Sequence, residues 1–375
     1  MNKEVRSQIT EGTTIILVYQ QHTTPKGPGI KKGLPFYNPA MQLNRDLSIC
    51  VVQWLLNSRN RPLHLLDGLS ASGIRGVRFL HELTGNFEVT INDWSSDAYD
   101  LIKKNIELIS PLKGHATNEN IHTLLSTQHF DYIDIDPFGS PAGYIDSAIR
   151  GCRHLGIIAC TATDTAALCG TYPNVCNRRY ASTPLHGIVM HEVGLRILLG
   201  VLGREAAKHD KGIIPILCYI TDHYMRIYVQ LHNNINAAND TMNEIRTIPS
   251  TEIYPHMGEK KRLIGPLWMG QLHNALALQS IRSILFSKTL GTRNALIKLL
   301  DLLEDESKAP PFFYTTDSIG SQVKCSPPPL NSLMQIIKDK GFDVYRTHFH
   351  PCGFKTTAPS HFVEQTYREM QRSTQ

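Results

Sequence analysis

Asp67-Gly68-Leu69-Ser70-Ala71-Ser72-Gly73-Ile74-Arg75-Gly76 is the stretch that decides the fold. It follows a short apolar run, Leu63-His64-Leu65-Leu66, that reads as a buried strand, and it opens a helix predicted from Ile74 to about Leu83. Small residues let the backbone come close to a ligand, and a helix N-terminus offers free N–H groups. The glycines at 68, 73 and 76 depart from the G-x-G-x-x-G spacing of dinucleotide sites. Asp67, directly at the strand end, would repel a pyrophosphate but suits a ligand ammonium.

Outward from this loop, short apolar runs alternate with helical stretches. Phe87–Ile91, Tyr132–Ile135 and Leu155–Cys160 read as strands, with helices expected from Ser95 to Ile109 and from the end of Asp136-Pro137-Phe138-Gly139 to about Cys152. Such alternation predicts parallel β-α-β units, whose right-handed crossovers gather the strand ends along one edge of a sheet, where ligands bind. A long helix is expected from Ile188 to His209, then a hairpin of strands Ile213–Ile220 and Met225–Leu231 that closes the sheet. The polar stretch 233–250 reads as a linker to a second unit, with helices near 270–286, 292–303 and 331–340. This gives two domains, 1–235 and 236–375.

Composition narrows the classes. With 375 residues, 41% hydrophobic and 19% charged, the chain has the apolar mass for packed cores and is not a disordered one. No apolar run reaches the roughly 20 residues of a membrane helix. Met1-Asn2-Lys3-Glu4 lacks the apolar core of a secretory signal, and the eight cysteines form no Cys-x-x-Cys pair. Both observations suit reduced thiols in a cytoplasmic protein. The net charge of +5 permits a polyanion partner. Residues 1–200 hold 18 basic and 17 acidic side chains and residues 201–375 hold 20 and 16, so most of the excess lies in the second half, densest at Lys260-Lys261-Arg262.

The chemistry is carried by three strand ends. In Ile91-Asn92-Asp93-Trp94, Asp93 sits where a carboxylate takes the hydroxyls of a ribose. A loop acid, a small-residue turn with Ser70, and a ribose acid describe a nucleoside joined to an amino acid, and S-adenosylmethionine (AdoMet) fits better than a dinucleotide. Asp134-Ile135-Asp136-Pro137-Phe138-Gly139-Ser140-Pro141 is the most specific stretch. Asp136 can accept hydrogens of an exocyclic amine, Pro137 stiffens the turn, and Phe138 can stack on the base that carries the amine. Methylation of such a nitrogen needs those parts, with direct attack on a sulfonium methyl resting mostly on positioning. Thr163 and Asp164, at the fifth strand end, are candidates for the base pocket, and Arg178-Arg179 for phosphate contacts. Before the sheet, Arg45 is placed to pair with a ligand carboxylate and Phe36 to form a second stacking wall. His348-Phe349-His350-Pro351-Cys352 has three metal-ligand types within five residues but no second cluster, so no metal is expected.

These residues resemble the tRNA (guanine(26)-N(2))-dimethyltransferases, most like the archaeal members. The matching stretches run in order nearly end to end: Phe36–Pro39 with Asn44–Asp46, Asp67–Gly76, Asp134–Pro141, Ala162–Thr165, Cys176–Tyr180, His191–Arg196, Asp222–Tyr224, Gly265–Trp268 and Arg346–Lys355 with Thr356. The resemblance implies a class I AdoMet-dependent methyltransferase domain, an α/β Rossmann-like fold with a mostly parallel sheet, plus a smaller α+β C-terminal domain that assists tRNA binding. It implies transfer of one and then a second methyl to N2 of guanine 26. By motif position, Arg45, Arg75 and Asp93 are AdoMet contacts, Trp94 neighbours them, Asp136 is the catalytic acid, and Phe36 and Phe138 flank the guanine. Where the family often has Asp-Ala-Asn, this chain reads Asn118-Glu119-Asn120-Ile121, so Asn120 or Glu119 is matched to the adenine amine, with Ile121 beside it. Where many members carry a zinc-type Cys-x-x-Cys-Gly, this chain has Tyr254-Pro255-His256-Met257-Gly258, and no structural zinc is expected.

Rival readings are a Rossmann dehydrogenase, which the loop spacing opposes, and a non-catalytic RNA-binding protein, which the presence of Asp136 opposes. A methyltransferase of exocyclic amines in rRNA or DNA is opposed by the resemblance alone. The expected partner is tRNA, with no membrane and no obligate protein partner.

Overall fold

The computed structural model describes residues 6–19, 35–109, 113–221, 223–253 and 262–372. A hairpin of β1 (Arg6–Glu11) and β2 (Thr14–Tyr19) precedes α1 (Gln42–Asn57). There follow β3 (Leu63–Asp67), α2 (Ile74–Glu82), β4 (Phe87–Asn92), α3 (Ser96–Ile109), β5 (Gly114–Thr117), α4 (Ile121–Thr127), β6 (Phe130–Ile135), α5 (Ile145–Gly151) and β7 (Cys152–Ala162). Short helices α6 (Thr165–Leu168) and α7 (Pro173–Tyr180) lead to α8 (Met190–Ala207), β8 (Lys211–Thr221) and β9 (Tyr224–Asn233). Next come α9 (Ile235–Asn243), β10 (Ile245–Pro249), α10 (Ser250–Ile253), β11 (Leu263–Trp268), α11 (Ala275–Ser287) and α12 (Arg293–Glu306). The chain closes with β12 (Tyr314–Thr315), α13 (Thr316–Val323), α14 (Leu330–Asp339), β13 (Val344–Arg346), β14 (Gly353–Thr356) and α15 (Ser360–Arg372).

The central sheet has seven strands in the order β5-β4-β3-β6-β7-β9-β8. The first five are parallel, and the β8–β9 hairpin adds antiparallel strands at one edge. Strands buried on both faces read as continuous apolar runs, which is why Leu63–Leu66 and Tyr132–Ile135 were visible in the sequence. The strand order reverses between β3 and β6, and this switch point opens a crevice at their carboxyl ends. Asp67 ends β3 on one side of it, and Asp136 follows β6 on the other.

Two apolar cores fill the faces of the sheet. One packs α4, α5 and α8 against it, and the other α1, α2 and α3.

The expected linker at 233–250 is instead α9 and β10. Asn234 starts that helix by accepting hydrogen bonds from the N–H groups of Asn236 and Ala237. Ala238 and Thr241 are buried, and β10 pairs with β11. Polar composition was misleading here because a one-sided helix needs only a narrow apolar stripe. The cores also run past residue 235. Ile248, Ile264 and Leu267 join the first, while Leu278, Ile281, Leu296 and Leu300 of α11 and α12 join the second, against α1. A separate core appears among Ile319, Val323, Leu333, Phe354, Val363 and Tyr367, where α13, α14 and α15 cover the sheet β12-β14-β13. All eight cysteines are free thiols, six of them buried. No helix among the described residues is long and apolar enough to cross a membrane.

Candidate active site

The crevice between β3 and β6 is a cavity of about 770 Å³, a size that holds a cofactor or a nucleoside. Its walls are the loop after β3, the loop after β6, residues Phe36 to Arg45, Thr163 after β7, and His223 and Tyr224 of the β8–β9 turn.

The loop after β3 is built for close approach. Gly73 takes φ +76°, a left-handed conformation that costs glycine little. Gly76 lies against β4, where a Cβ would sit 2.6 Å from Cγ1 of Ile91. Asp67 Oδ2 accepts from the Gly76 N–H at 2.9 Å, tying strand end to helix start. Burial, with Asp134 and Asp136 nearby, pushes the Asp67 carboxyl up to about 7 against the pull of Arg75. A ligand ammonium in the cavity would supply the cation this carboxyl lacks. Asp93 holds the loop from the neighbouring strand end, accepting from the N–H of Ala71 at 2.8 Å and of Ser95 at 2.9 Å. Asn92 pins the next loop, donating to the carbonyls of Gly68 and Glu119, each at 3.1 Å.

The loop after β6 projects Asp136, Pro137 and Phe138 into the cavity. Gly139 is clamped to the end of β7: its N–H donates to Thr163 Oγ1 at 2.8 Å, and its carbonyl accepts from the Thr163 N–H at 3.0 Å. The rings of Phe36 and Phe138 stand 5.5 Å apart at 60°, and Phe138 is 54% exposed, so its face is available for stacking. Asp136 Oδ2 accepts from Arg75 Nη2 at 2.5 Å. Among the described residues Oδ1 is the acceptor left over.

Arg75 belongs to a buried set of charges. Its Nη1 donates to Asn44 Oδ1 at 2.8 Å and Ser48 Oγ at 2.6 Å, and its Nε lies 3.4 Å from Asp134. Asp134 also accepts from Arg226 at 3.0 and 2.6 Å and from the Tyr132 hydroxyl at 2.6 Å. Burial alone would raise the Asp134 carboxyl, but Arg226 and Arg75 outweigh it and hold it below the usual range. A second cluster lies behind the wall formed by residues 36–45. Glu11 accepts from Arg45 Nε at 2.7 Å and Nη2 at 2.6 Å, from Arg78 at 2.8 Å and from the Tyr37 hydroxyl at 3.0 Å.

One cavity therefore brings together Phe36, Arg45, Asp67, Ser70, Arg75, Asp136, Pro137, Phe138 and Thr163. Two of these differ from the sequence expectation in what they hold. The fork of Arg45, expected on a ligand carboxylate, grips Glu11, and the guanidinium of Arg75 is spent on protein acceptors. Asp93, Trp94, Asn120, Ile121, Asp164, Arg178 and Arg179 do not border the cavity. Trp94 is 70% exposed. Asn120 caps α4, accepting from the His122 N–H at 2.9 Å, and Ile121 is buried under Gly68. Asp164 accepts from Arg179 at 3.0 Å and from the Tyr180 hydroxyl at 2.6 Å, so those two charges neutralise each other. Asp222, Lys260, Lys261 and the stretch 254–258 lie outside the described residues.

Arg226 and Glu11 were missed in the sequence. Arg226 had a signal: a lone charge inside an apolar strand must be paired when buried. Glu11 had none, since it meets Arg45 and Arg78 only in three dimensions.

The His348 stretch also finds a partner far away. Among the described residues, His273, Glu306 and His348 form the one group whose ligand-type atoms lie within 4.8 Å of one another. The backbone N–H of Cys218 donates to His273 Nδ1 at 3.4 Å and that of Ile220 to His348 Nε2 at 3.3 Å. The other ring nitrogens lie near Glu306, His348 Nδ1 at 3.0 Å and His273 Nε2 at 3.5 Å. The cluster caps the open edge of β8.

A family model for N2,N2-dimethylguanosine tRNA methyltransferases matches residues 12–368. The chain belongs to that family. It is 36% identical to the tRNA (guanine(26)-N(2))-dimethyltransferase of Pyrococcus horikoshii, covering 97% of this chain and 98% of that one. The enzyme of the same name from Methanobrevibacter smithii is 34% identical, over 90% and 92% of the two chains. The solved structure of Trm1 from Pyrococcus horikoshii with S-adenosyl-L-methionine superposes with a TM-score of 0.85 at 34% identity, covering 96% of this chain and 99% of that one. The fold is that of a class I AdoMet-dependent methyltransferase, and this family member is an enzyme of that class.

Proposed function

We infer that the chain transfers methyl groups from AdoMet to N2 of a guanine in tRNA, at position 26 and twice in succession. The observation that carries this reading is the placement of Asp136 at the switch-point crevice, between the Phe36–Phe138 walls and the small-residue loop after β3, in a member of this family. The residues fit AdoMet: Asp67 offers a buried carboxyl to its ammonium, Ser70 and the loop backbone surround the amino-acid part, and Asp93 holds that loop in place from outside the cavity.

Bound AdoMet supplies an electrophilic methyl on a sulfonium. The chain's own residues supply the rest. Phe36 and Phe138 hold the guanine face to face with an apolar wall. Asp136 Oδ1 accepts one N2–H and turns the nitrogen lone pair toward the methyl. It is also the base placed to receive the proton that leaves as the N–C bond forms. Arg75 aims Asp136 by holding its Oδ2. Thr163 fixes the loop that carries these groups. Arg178, in the last turn of α7, serves as a phosphate contact, and the C-terminal unit adds a salt-sensitive grip on the tRNA.

The test incubates the protein with labelled AdoMet and unmodified tRNA transcripts and identifies the nucleoside by mass. N2-methyl- and N2,N2-dimethylguanosine at position 26 are expected, and Asp136→Ala should abolish both while AdoMet still binds by calorimetry. Label found only in rRNA or DNA, or an Asp136→Ala protein with wild-type turnover, overturns the assignment.

A further inference from the structure

We propose that Asp134 and Arg226, neither of which lines the cavity, are positioning residues for methyl transfer: they lock Arg75 so that it presents Asp136. The inference rests on the reading of Asp136 as the group that touches the guanine amine.

The geometry is a chain of paired charges. Arg75 has three nitrogens. Nη1 is consumed by Asn44 and Ser48 of α1, and Nε faces Asp134 Oδ1 at 3.4 Å. With those two directions fixed, the planar fork leaves Nη2 one heading, onto Asp136 Oδ2 at 2.5 Å. Asp134 is itself held in place by Arg226, which forks onto both of its oxygens at 3.0 and 2.6 Å. Arg226 is anchored in turn by Thr161 Oγ1 at 2.9 Å, by Ser48 Oγ at 3.3 Å and by the face of Tyr228, 4.5 Å from its guanidinium. Arg75, Asp134 and Arg226 are all buried, and Asp134 and Arg226 have no measurable exposure.

Charge counting shows why Asp134 is decisive. Two guanidiniums and two carboxylates, Arg226, Arg75, Asp134 and Asp136, balance. Without the Asp134 charge, the two buried guanidiniums lose the carboxylate they share, and Arg75 keeps Asn44, Ser48 and Asp136 as its partners. Repulsion then moves Arg75 off its heading, and Asp136 with it. A displacement of one ångström at a reacting group costs roughly 100-fold in rate.

The test is a double-mutant cycle on the full chain with tRNA transcripts, read as the single-turnover rate together with AdoMet affinity and tRNA KM. Asp134→Asn should slow methyl transfer roughly 100-fold with AdoMet affinity and KM unchanged. In an Asp136→Asn background, followed as the residual single-turnover rate at large enzyme excess, the same change should add no further loss, because the route through Asp136 is already cut. Arg226→Lys keeps the charge but loses the fork, and should cost about tenfold and also vanish in that background. A wild-type rate for Asp134→Asn, or a loss that multiplies undiminished in the Asp136→Asn background, overturns the positioning role. If Asp134→Asn does not fold, as judged by its melting curve, the Arg226→Lys cycle decides. Failure of the underlying reading shows separately: Asp136→Asn alone would turn over like the wild type.

Discussion

Replacing Glu11 by Gln should cost on the order of 3 kcal/mol at neutral pH, and the cost should fade in acid. The Glu11 carboxylate accepts four hydrogen bonds, two from Arg45 and one each from Arg78 and the Tyr37 hydroxyl. Burial works to raise its pKa, yet the two arginines overcome this and hold it at about 2. An unfolded Glu titrates near about 4.3, so the folded value is the lower one. The stabilisation is therefore complete above the unfolded pKa and is lost as the pH falls through the folded one. A gap of roughly two units is worth on the order of 3 kcal/mol, which agrees with the cost of breaking a buried ion pair from one side. In a chain of this length that lowers the melting midpoint by about 4 °C. The assay is thermal unfolding of wild type and Glu11→Gln in steps from pH 7 to pH 3. The difference should hold steady to about pH 4.5 and shrink to roughly half by about pH 3. An equal difference at every pH, or none at pH 7, would refute the argument that the charge of Glu11, rather than its shape, holds Arg45 and Arg78.

Three further outcomes follow from the same geometry. Phe36→Ala and Phe138→Ala should each lower kcat/KM for tRNA by roughly 10–100-fold with AdoMet affinity retained, since stacking of a base is worth about 1–3 kcal/mol; steady-state kinetics checks this, and an effect confined to AdoMet binding would count against the stacking walls. Asp67→Asn should stabilise the ligand-free protein. The folded carboxyl, raised to about 7, makes ionisation costly, so the gain should grow as the pH rises from the unfolded carboxylate range toward 7. The same change should weaken AdoMet binding, and melting curves with and without AdoMet at pH 5 and pH 8 test both effects. Gly76→Ala places a Cβ 2.6 Å from Ile91 Cγ1 and 3.3 Å from Asp67 Cβ, and should cost about 1–3 kcal/mol by overpacking, visible in denaturant unfolding.

The parallel half of the sheet was legible because doubly buried strands and amphipathic helices write long, periodic patterns. Asp67, Asp136 and Phe138 were legible for a related reason: loops at strand ends are read in sequence order. Other parts left weaker marks. β5 is four residues, Gly114–Thr117, none of them fully buried, so no apolar run signals it. The β1–β2 hairpin acquires its meaning from Glu11, whose partners lie 26 to 67 residues away. Arg45 shows the limit most plainly. Its residue type and place suggested a ligand carboxylate; it does line the cavity, and its Nε and Nη2 also meet Glu11, a carboxylate from the first hairpin. Asn120 likewise does local work as a helix cap, a role its residue type favours as much as ligand binding. His348 was noticed for the wrong reason: its partners, Glu306 and the backbone of Ile220, come from elements that sequence proximity does not link.

The packing of α11 and α12 on α1 has a consequence for how the protein is made. Helix α1 is buried from Asn44 through Gln53 and again at Leu55 and Leu56. Part of its cover is Leu278, Ile281, Leu296 and Leu300, more than two hundred residues later, and Asp46 on α1 also accepts from the N–H and hydroxyl of Thr292, at 2.9 and 2.7 Å. At about 5–20 residues per second, a ribosome needs roughly 12–50 s to deliver that cover after α1 emerges. For that interval the nascent chain carries a sticky helix with no lid. A fragment ending near residue 235 would remain in that condition permanently, so the catalytic half is expected to need the rest of the chain, or a chaperone, to stay in solution.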